Sequence, residues 1–246
     1  MKLFDKSSNL IKIFPSIEGM CSIPEILPRP SHKFFPSWWK ELPVLKSKIS
    51  IDESIPGNVK TCPSFPDYLS QGIIIPMWTD TILSFDKNIG WQWKTPDETF
   101  KWEIHYPHQF LNSTSYSYMN KKAKFVFKAI CPWHIVTPPG YSVYQLPLFY
   151  HQQDDYSVLP GIFNTDFHHI INQQVLYHTD NYEVFIKRGT PFVQYIPFKR
   201  NNFKIDVHEA TEYERKMLLR NVRNFQTNFL GSQYYAKLKS KEKNNE

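Results

Sequence analysis

The side chains best equipped for chemistry gather between positions 131 and 200. Asp166 and His168 stand two apart, so on a strand they would share a face, while the adjacent His169 would point away. With a further histidine such as His151, His134 or His178, the pair would supply two imidazoles and one carboxylate, the facial set of a non-haem ferrous site. Asp166, His168 and His151 are therefore the candidate ligands for a divalent metal, and Asp166 the candidate catalytic group. The order Asp-x-His reverses the His-x-Asp usual for that chemistry, and polar residues satisfied at a strand end or a subunit contact explain the pattern better. Asp154 and Asp155, in the run HQQDD, could bind a cation or share a proton. Lying in a loop before Pro160, they read better as solvated turn residues. The strong hydrolase and nucleotide signatures GxSxG, GxxxxGK[ST] and GxGxxG are absent from the sequence.

Strands must position these groups. Gly72 to Trp78 is a short apolar run opened by Gly and broken by Pro, as in an edge or bulged strand. Residues 82–85 and 90–94 flank a hairpin turn, and 102–106 and 124–128 alternate apolar and polar residues as half-buried strands do. The series continues at 141–148, 183–187 and 192–197. Gly161 leads an apolar strand ending in Asn164, Thr165 and Asp166, and Gly189 leads Thr190 to Gln194; the two segments are expected to lie near one another. No helical period separates the strands, which argues against βαβ units and for a mainly β single domain, a sandwich or barrel of jelly-roll or β-clip type.

Residues 1–48 read as an arm packed on that body, because Pro15, Pro24, Pro28, Pro30, Pro36 and Pro43 preclude a long helix. Its rings Phe34, Phe35, Trp38 and Trp39 are expected to staple it in place, the alternative being an exposed stacking platform. The β-domain occupies 49–207. A C-terminal helix follows over 208–231: Thr211 and Glu214 form a capping box, Tyr213, Met217, Leu218, Val222, Phe225 and Phe229 make one stripe, and Gly231 ends it. Residues 232–246 read as a basic, disordered tail.

The net charge is +6, part of it from four Lys against two Glu in the last ten residues. That leaves the body too mildly basic for a dense phosphate-binding stripe, so direct nucleic-acid binding is disfavoured. The three cysteines, Cys21, Cys62 and Cys131, form no CxxC pair and are expected to be buried free thiols in a reducing compartment. No signal-like segment opens the sequence and no run approaches the 18 apolar residues of a membrane span, so a cytoplasmic protein without a membrane partner is expected.

Two resemblances extend this reading. PRPSHKFFPSWWKELP (28–43), VKTCPSFPDYLSQGIIIP (59–76), CPWHIVTPPGYS (131–142), LPGIFNTDF (159–167) and IKRGTPFVQYIPFKR (186–200) resemble an uncharacterised family of tailed phages of marine cyanobacteria and related bacteria. That likeness implies a protein of the host cytoplasm, with phage or host proteins as partners. Over a shorter stretch, Pro160 to Phe167 is similar to the substrate motif of the dUTPase and dCTP deaminase superfamily. Phe167 matches its sugar platform and Gln194 the Gln of a later Gly-led strand, whereas Asn164 stands where the dUTPases carry their Asp. The Arg-Ser-Gly phosphate motif and the Gly-rich closing loop are missing. This resemblance implies a β-clip scaffold on which Asn164, Phe167, His168, Gln194 and Arg188 face a nucleotide and Asp166 takes over as base or metal anchor.

Three functions follow in order. The first is a non-catalytic binding or assembly module, a homo-oligomer whose Pro-rich arm embraces a neighbour. The second is a nucleotide-binding or nucleotide-hydrolysing protein. The third is a ferrous-iron oxygenase using Asp166, His168 and a third histidine.

Overall fold

The structure, a computed structural model, describes residues 10–43, 59–62, 64–86, 88, 90–105, 125–178 and 181–226. Phe229, Gly231 and the basic tail lie outside these residues. The chain is mainly β, with fourteen strands in four antiparallel sheets among the described residues, as its alternating pattern predicts. Contacts divide it into two compact units, residues 1–200 and 201–246.

In the first unit the elements run β1 (Lys12–Pro15), β2 (Arg29–Pro30), α1 (Ser37–Glu41), α2 (Ser64–Ser70), β3 (Ile73–Pro76), β4 (Thr81–Asp86), β5 (Gly90–Lys94) and β6 (Trp102–Ile104). They continue as β7 (Phe125–Ala129), β8 (Trp133–Val136), β9 (Tyr141–Leu146), β10 (Tyr156–Val158), β11 (Gly161–Phe163), β12 (Gln173–Tyr177), β13 (Glu183–Ile186) and β14 (Pro191–Lys199). A five-stranded sheet has the order β11-β9-β14-β3-β2 and a four-stranded sheet the order β10-β12-β7-β6. A three-stranded sheet β13-β4-β5 and the pair β1-β8 are the other described sheets of the unit.

Strand alternation gives the five-stranded sheet two different faces. Its inner face carries Val143, Gln145, Val193, Tyr195 and Ile75, all buried in one core with Phe127, Ala129, Val175 and Tyr177 of the four-stranded sheet. On the outer face Gln194, Ile196 and Phe198 of β14 lie opposite Leu146, Tyr144 and Ser142 of β9, and Ile162 of β11 lies opposite Tyr144. Part of that face is covered: Gln194 Nε2 donates to Tyr68 O and Gln71 O at 3.2 and 2.8 Å, which holds the end of α2 against the strand. Gly72, just past α2, has φ +67°, and a Cβ there would stand 2.0 Å from Tyr195 O, so only glycine lets the helix approach this closely.

The described part of the N-terminal arm belongs to the body. β1 pairs with β8, β2 extends the five-stranded sheet, and Met20 and Ile26 are core residues. The rings act as a staple: Trp39 is buried, Trp38 Nε1 donates to Tyr150 O at 2.8 Å, and the Tyr150 ring meets Trp38, Phe65 and Tyr68. These residues hold the arm to its own chain, which leaves the expected embrace of a neighbour without support from residues 10–43. All three cysteines are free, but only Cys131 is buried; Cys21 and Cys62 are exposed, because each sits by a short surface turn rather than on a strand.

In the second unit, residues 201–211 adopt no regular structure and precede α3 (Glu212–Gln226). The capping box forms as its residue types require: Thr211 N donates to Glu214 Oε2 at 2.7 Å and Glu214 N to Thr211 Oγ1 at 3.3 Å. Tyr213, Met217 and Leu218 of the expected apolar stripe are exposed. No helix among the described residues is long and apolar enough to cross a membrane.

Candidate functional site

The turn that follows β11 is where the candidate residues meet. Asn164 O accepts from both Phe167 N (3.3 Å) and His168 N (3.0 Å), so residues 164–168 coil into a turn rather than continue the strand. Asp166 and His168 therefore do not share a strand face as their spacing predicts. Thr165 is the buried peg of this turn. Thr137 Oγ1 gives its proton to Tyr141 O at 3.0 Å, so Thr165 Oγ1 is the donor in the 2.8 Å contact between the two hydroxyls.

Asp166 is held by a second turn, Pro138 to Tyr141, in which Gly140 has φ +83° and Tyr141 N donates to Pro138 O at 3.1 Å. Gly140 N donates to Asp166 Oδ2 at 2.9 Å. Arg200, at the end of β14, closes the arrangement. Its backbone N donates to Gly140 O at 2.8 Å, Nη1 reaches Asp166 Oδ1 at 2.9 Å, and Nη2 donates to Asp166 Oδ2. Nη1 also donates to Ser142 Oγ at 2.8 Å, and Ser142 Oγ passes a hydrogen bond to Asn164 Oδ1 at 2.7 Å. A planar fork of donors against a carboxylate is the arrangement arginine makes best.

This geometry sets the chemistry. The hydrogen bonds from Arg200 hold the Asp166 carboxyl below the usual carboxylate range, the Gly140 amide adds to that, and burial opposes it. Arg200 is in turn held more firmly protonated, first by the hydrogen bond to Asp166. Both carboxylate oxygens are occupied, so Asp166 has the opposite of a general base's poise near neutrality. It ties together β11, the 138–141 turn and the end of β14. Exposed beside this clamp is the Phe167 ring, 5.8 Å from the Arg200 guanidinium.

The other candidates are spread across the unit. Gln194 lies on β14 six residues before Arg200, about 20 Å at the usual strand rise, and its amide is engaged with α2. Phe167 and Gln194 thus do not line one pocket. Arg188 sits beyond the opposite end of β14, its N donating to Asp80 Oδ1 at 2.7 Å and its Nη2 to Glu25 Oε1 at 2.9 Å. There it borders a hollow of about 520 Å³ with Glu25, Asp80, Lys187, Gly189 and Thr190.

His151 Nε2 donates to Phe34 O at 2.8 Å, so that nitrogen carries the proton, while Nδ1 is buried without a hydrogen-bond partner. Burial lowers the His151 pKa, the Phe34 hydrogen bond pulling weakly the other way. Asp155 accepts from Asn181 Nδ2 at 3.0 Å. Among the described residues no three His, Cys, Asp or Glu side chains converge so as to hold a metal ion, so Asp166, His168 and His151 do not assemble as metal ligands and Asp154 and Asp155 found no cation cage.

Two features escape sequence reasoning. Arg200 is the pivot of the clamp, and its only signal is parity with the outward-facing Gln194, Ile196 and Phe198 of the same strand. The second is a polar network inside the core. Tyr195 OH donates to Gln145 Oε1 at 2.7 Å and accepts from Gln173 Nε2 at 2.6 Å, and Gln145 Nε2 donates to Leu159 O at 2.8 Å. Burial raises the Tyr195 pKa well above its ordinary value and pushes the neighbouring Cys131 thiol up to about 12.

No protein-family model matches this chain, and no curated protein matches it as a relative.

Proposed function

We propose that this chain is a non-catalytic β-domain that works as a binding or assembly module. The observation that carries the reading is the state of Asp166. The one carboxylate at the centre of the candidate motif is fully engaged by Arg200 and Gly140, so the motif's polar groups build a rigid corner instead of a reactive centre. What that corner leaves outward is apolar: Phe167, Ile162 and Tyr144 are exposed at the bare end of the five-stranded sheet. A rigid scaffold presenting aromatic and aliphatic side chains at a sheet end is suited to recognition. The resemblance to a phage family supports a role in the cytoplasm of an infected cell, where such a module would join phage or host proteins.

The purified protein is expected to turn over neither deoxynucleoside triphosphates with Mg²⁺ nor 2-oxoglutarate with ferrous iron. Asp166→Asn is expected to lower thermal stability and nothing else. Formation of a product by the wild-type chain, abolished by Asp166→Asn, would overturn the reading. The exposed Phe167 ring beside the Arg200 guanidinium favours a second reading, a nucleotide sensor that stacks a base on Phe167. That reading requires a melting shift with one deoxynucleotide that Phe167→Ser removes.

A further inference from the structure

The described residues cover only half of the outer face of the five-stranded sheet. Away from α2 it presents Ile162 and Tyr144, 58% and 40% exposed, with the Tyr144 ring stacked on Phe198 at 4.2 Å. β11 is the edge strand on this side, so its far edge carries backbone groups that no other described strand pairs. Four residues past the end of β14 begins a segment with the complementary defect. Phe203, Ile205 and Val207 alternate with Lys204, Asp206 and His208, the two-residue period of a half-buried strand. Yet these three apolar side chains are 82–89% exposed, and residues 201–210 form no strand.

From this we infer that residues 203–207 are a strand donated to a second copy of the chain, where they pair along the free edge of β11 and cover Ile162 and Tyr144. The inference rests on the reading of the chain as an assembly module and names its partner.

Chain reach selects a second copy over the chain's own edge. Arg200 is pinned by its backbone and guanidinium to the 138–141 turn and to Asp166. β9 and β11 stand between β14 and the free edge, so a strand added there lies three inter-strand spacings from β14, about 14 Å. Three residues of extended chain from Arg200 to Phe203 span about 10 Å. Phe203 therefore falls short of its own sheet's edge, and a copy related by a two-fold axis meets no such limit. Mutual exchange is self-complementary, each copy giving one strand and receiving one. Two such straps, each with three large apolar side chains and five residues of backbone, approach the roughly 1,200 Å² at which specific interfaces begin. Backbone pairing at a sheet edge supplies affinity, and the alternating side chains supply register.

The test uses the full chain. Size-exclusion chromatography with light scattering is expected to give twice the chain mass, and Phe203→Ser/Ile205→Ser/Val207→Ser to give the single mass with an unchanged circular dichroism spectrum. Contact is then read by cross-linking in a Cys21→Ser/Cys62→Ser background. Ile162→Cys and Ile205→Cys are prepared separately, mixed and oxidised, and a disulfide between the two preparations is expected. A wild-type monomer at tens of micromolar would overturn the inference, and so would a disulfide that forms only when one chain carries both cysteines. Either result without catalytic turnover leaves the module reading standing, whereas Asp166-dependent turnover removes that reading itself.

Discussion

Replacing Tyr195 by Phe removes one oxygen from the centre of the core and little else. In the wild type that hydroxyl is the sole donor to Gln145 Oε1 and one of two acceptors for Gln173 Nε2, the other being Ile171 O. Tyr195, Gln145 and Gln173 are all buried, so no water replaces the lost partner. Each buried polar group left unsatisfied costs about 1–3 kcal/mol, and here one is orphaned outright and a second is half satisfied. The expected loss is about 2–4 kcal/mol. In urea, with a slope of about 2 kcal/mol per molar, the midpoint falls by about 1–2 M with the slope unchanged. A double-mutant cycle with Gln145→Met isolates the pair: once the acceptor is gone, Tyr195→Phe should cost at least 1 kcal/mol less. A fall of under about 0.5 kcal/mol in the single variant, or additivity in the cycle, would refute the reading that Tyr195, Gln145 and Gln173 satisfy one another as a buried unit.

Acid stability should carry two separate steps. Asp166 has a folded-state pKa below the unfolded value of about 3.9, so its contribution is complete above about pH 4 and is lost as pH falls through the lower folded value. His151 is also depressed in the fold, so the unfolded chain takes up its proton first; stability is full above about pH 6.5 and declines as pH drops toward the folded value. Melting temperatures from pH 3 to 8 should show both, with Asp166→Asn flattening the acid step and His151→Gln the one nearer neutrality. Thiol labelling should be biphasic. Exposed Cys21 and Cys62 react at once, Cys62 aided by a thiol pKa lowered by the Ser64 hydroxyl, while Cys131 reacts only at the rate of unfolding. Three fast equivalents would place Cys131 outside the core.

The fold was legible where side-chain period and burial agree. Residues 82–85 and 90–94 are short apolar runs flanking a turn and form the hairpin β4-β5, and the Thr211–Glu214 box caps α3 because its four-residue pattern is local. β12 was hidden because it opens on Gln173 and Gln174, which read as loop; Gln173 is polar because it serves the buried network. β10 has only three residues, too few to display a period. At the site, Asn164, Asp166 and Phe167 were legible as one neighbourhood because they lie within four residues, although their spacing reads as a strand end where the structure has a turn. Their engagement was not, since it depends on Arg200, 34 positions later in the chain, arriving at the same sheet end. Gln194 and Arg188 were misplaced for a related reason: motif spacing places residues along a strand without saying which end of it forms the corner.

The order in which the five-stranded sheet is assembled has a consequence for synthesis. β3 lies between β2 and β14, so Ile74 waits for Gln194 to be made before its main hydrogen-bonding partner exists. At about 5–20 residues per second that interval is on the order of 10 s. Throughout it the run Ile73-Ile74-Ile75 leaves the ribosome with one short neighbour, β2, to pair against. β1 likewise waits for β8. Such non-local pairing makes folding slow and leaves a sticky strand uncovered while the chain is incomplete. The nascent chain is therefore a natural client for a ribosome-associated holding chaperone, and its yield on expression should improve when translation is slowed by cold.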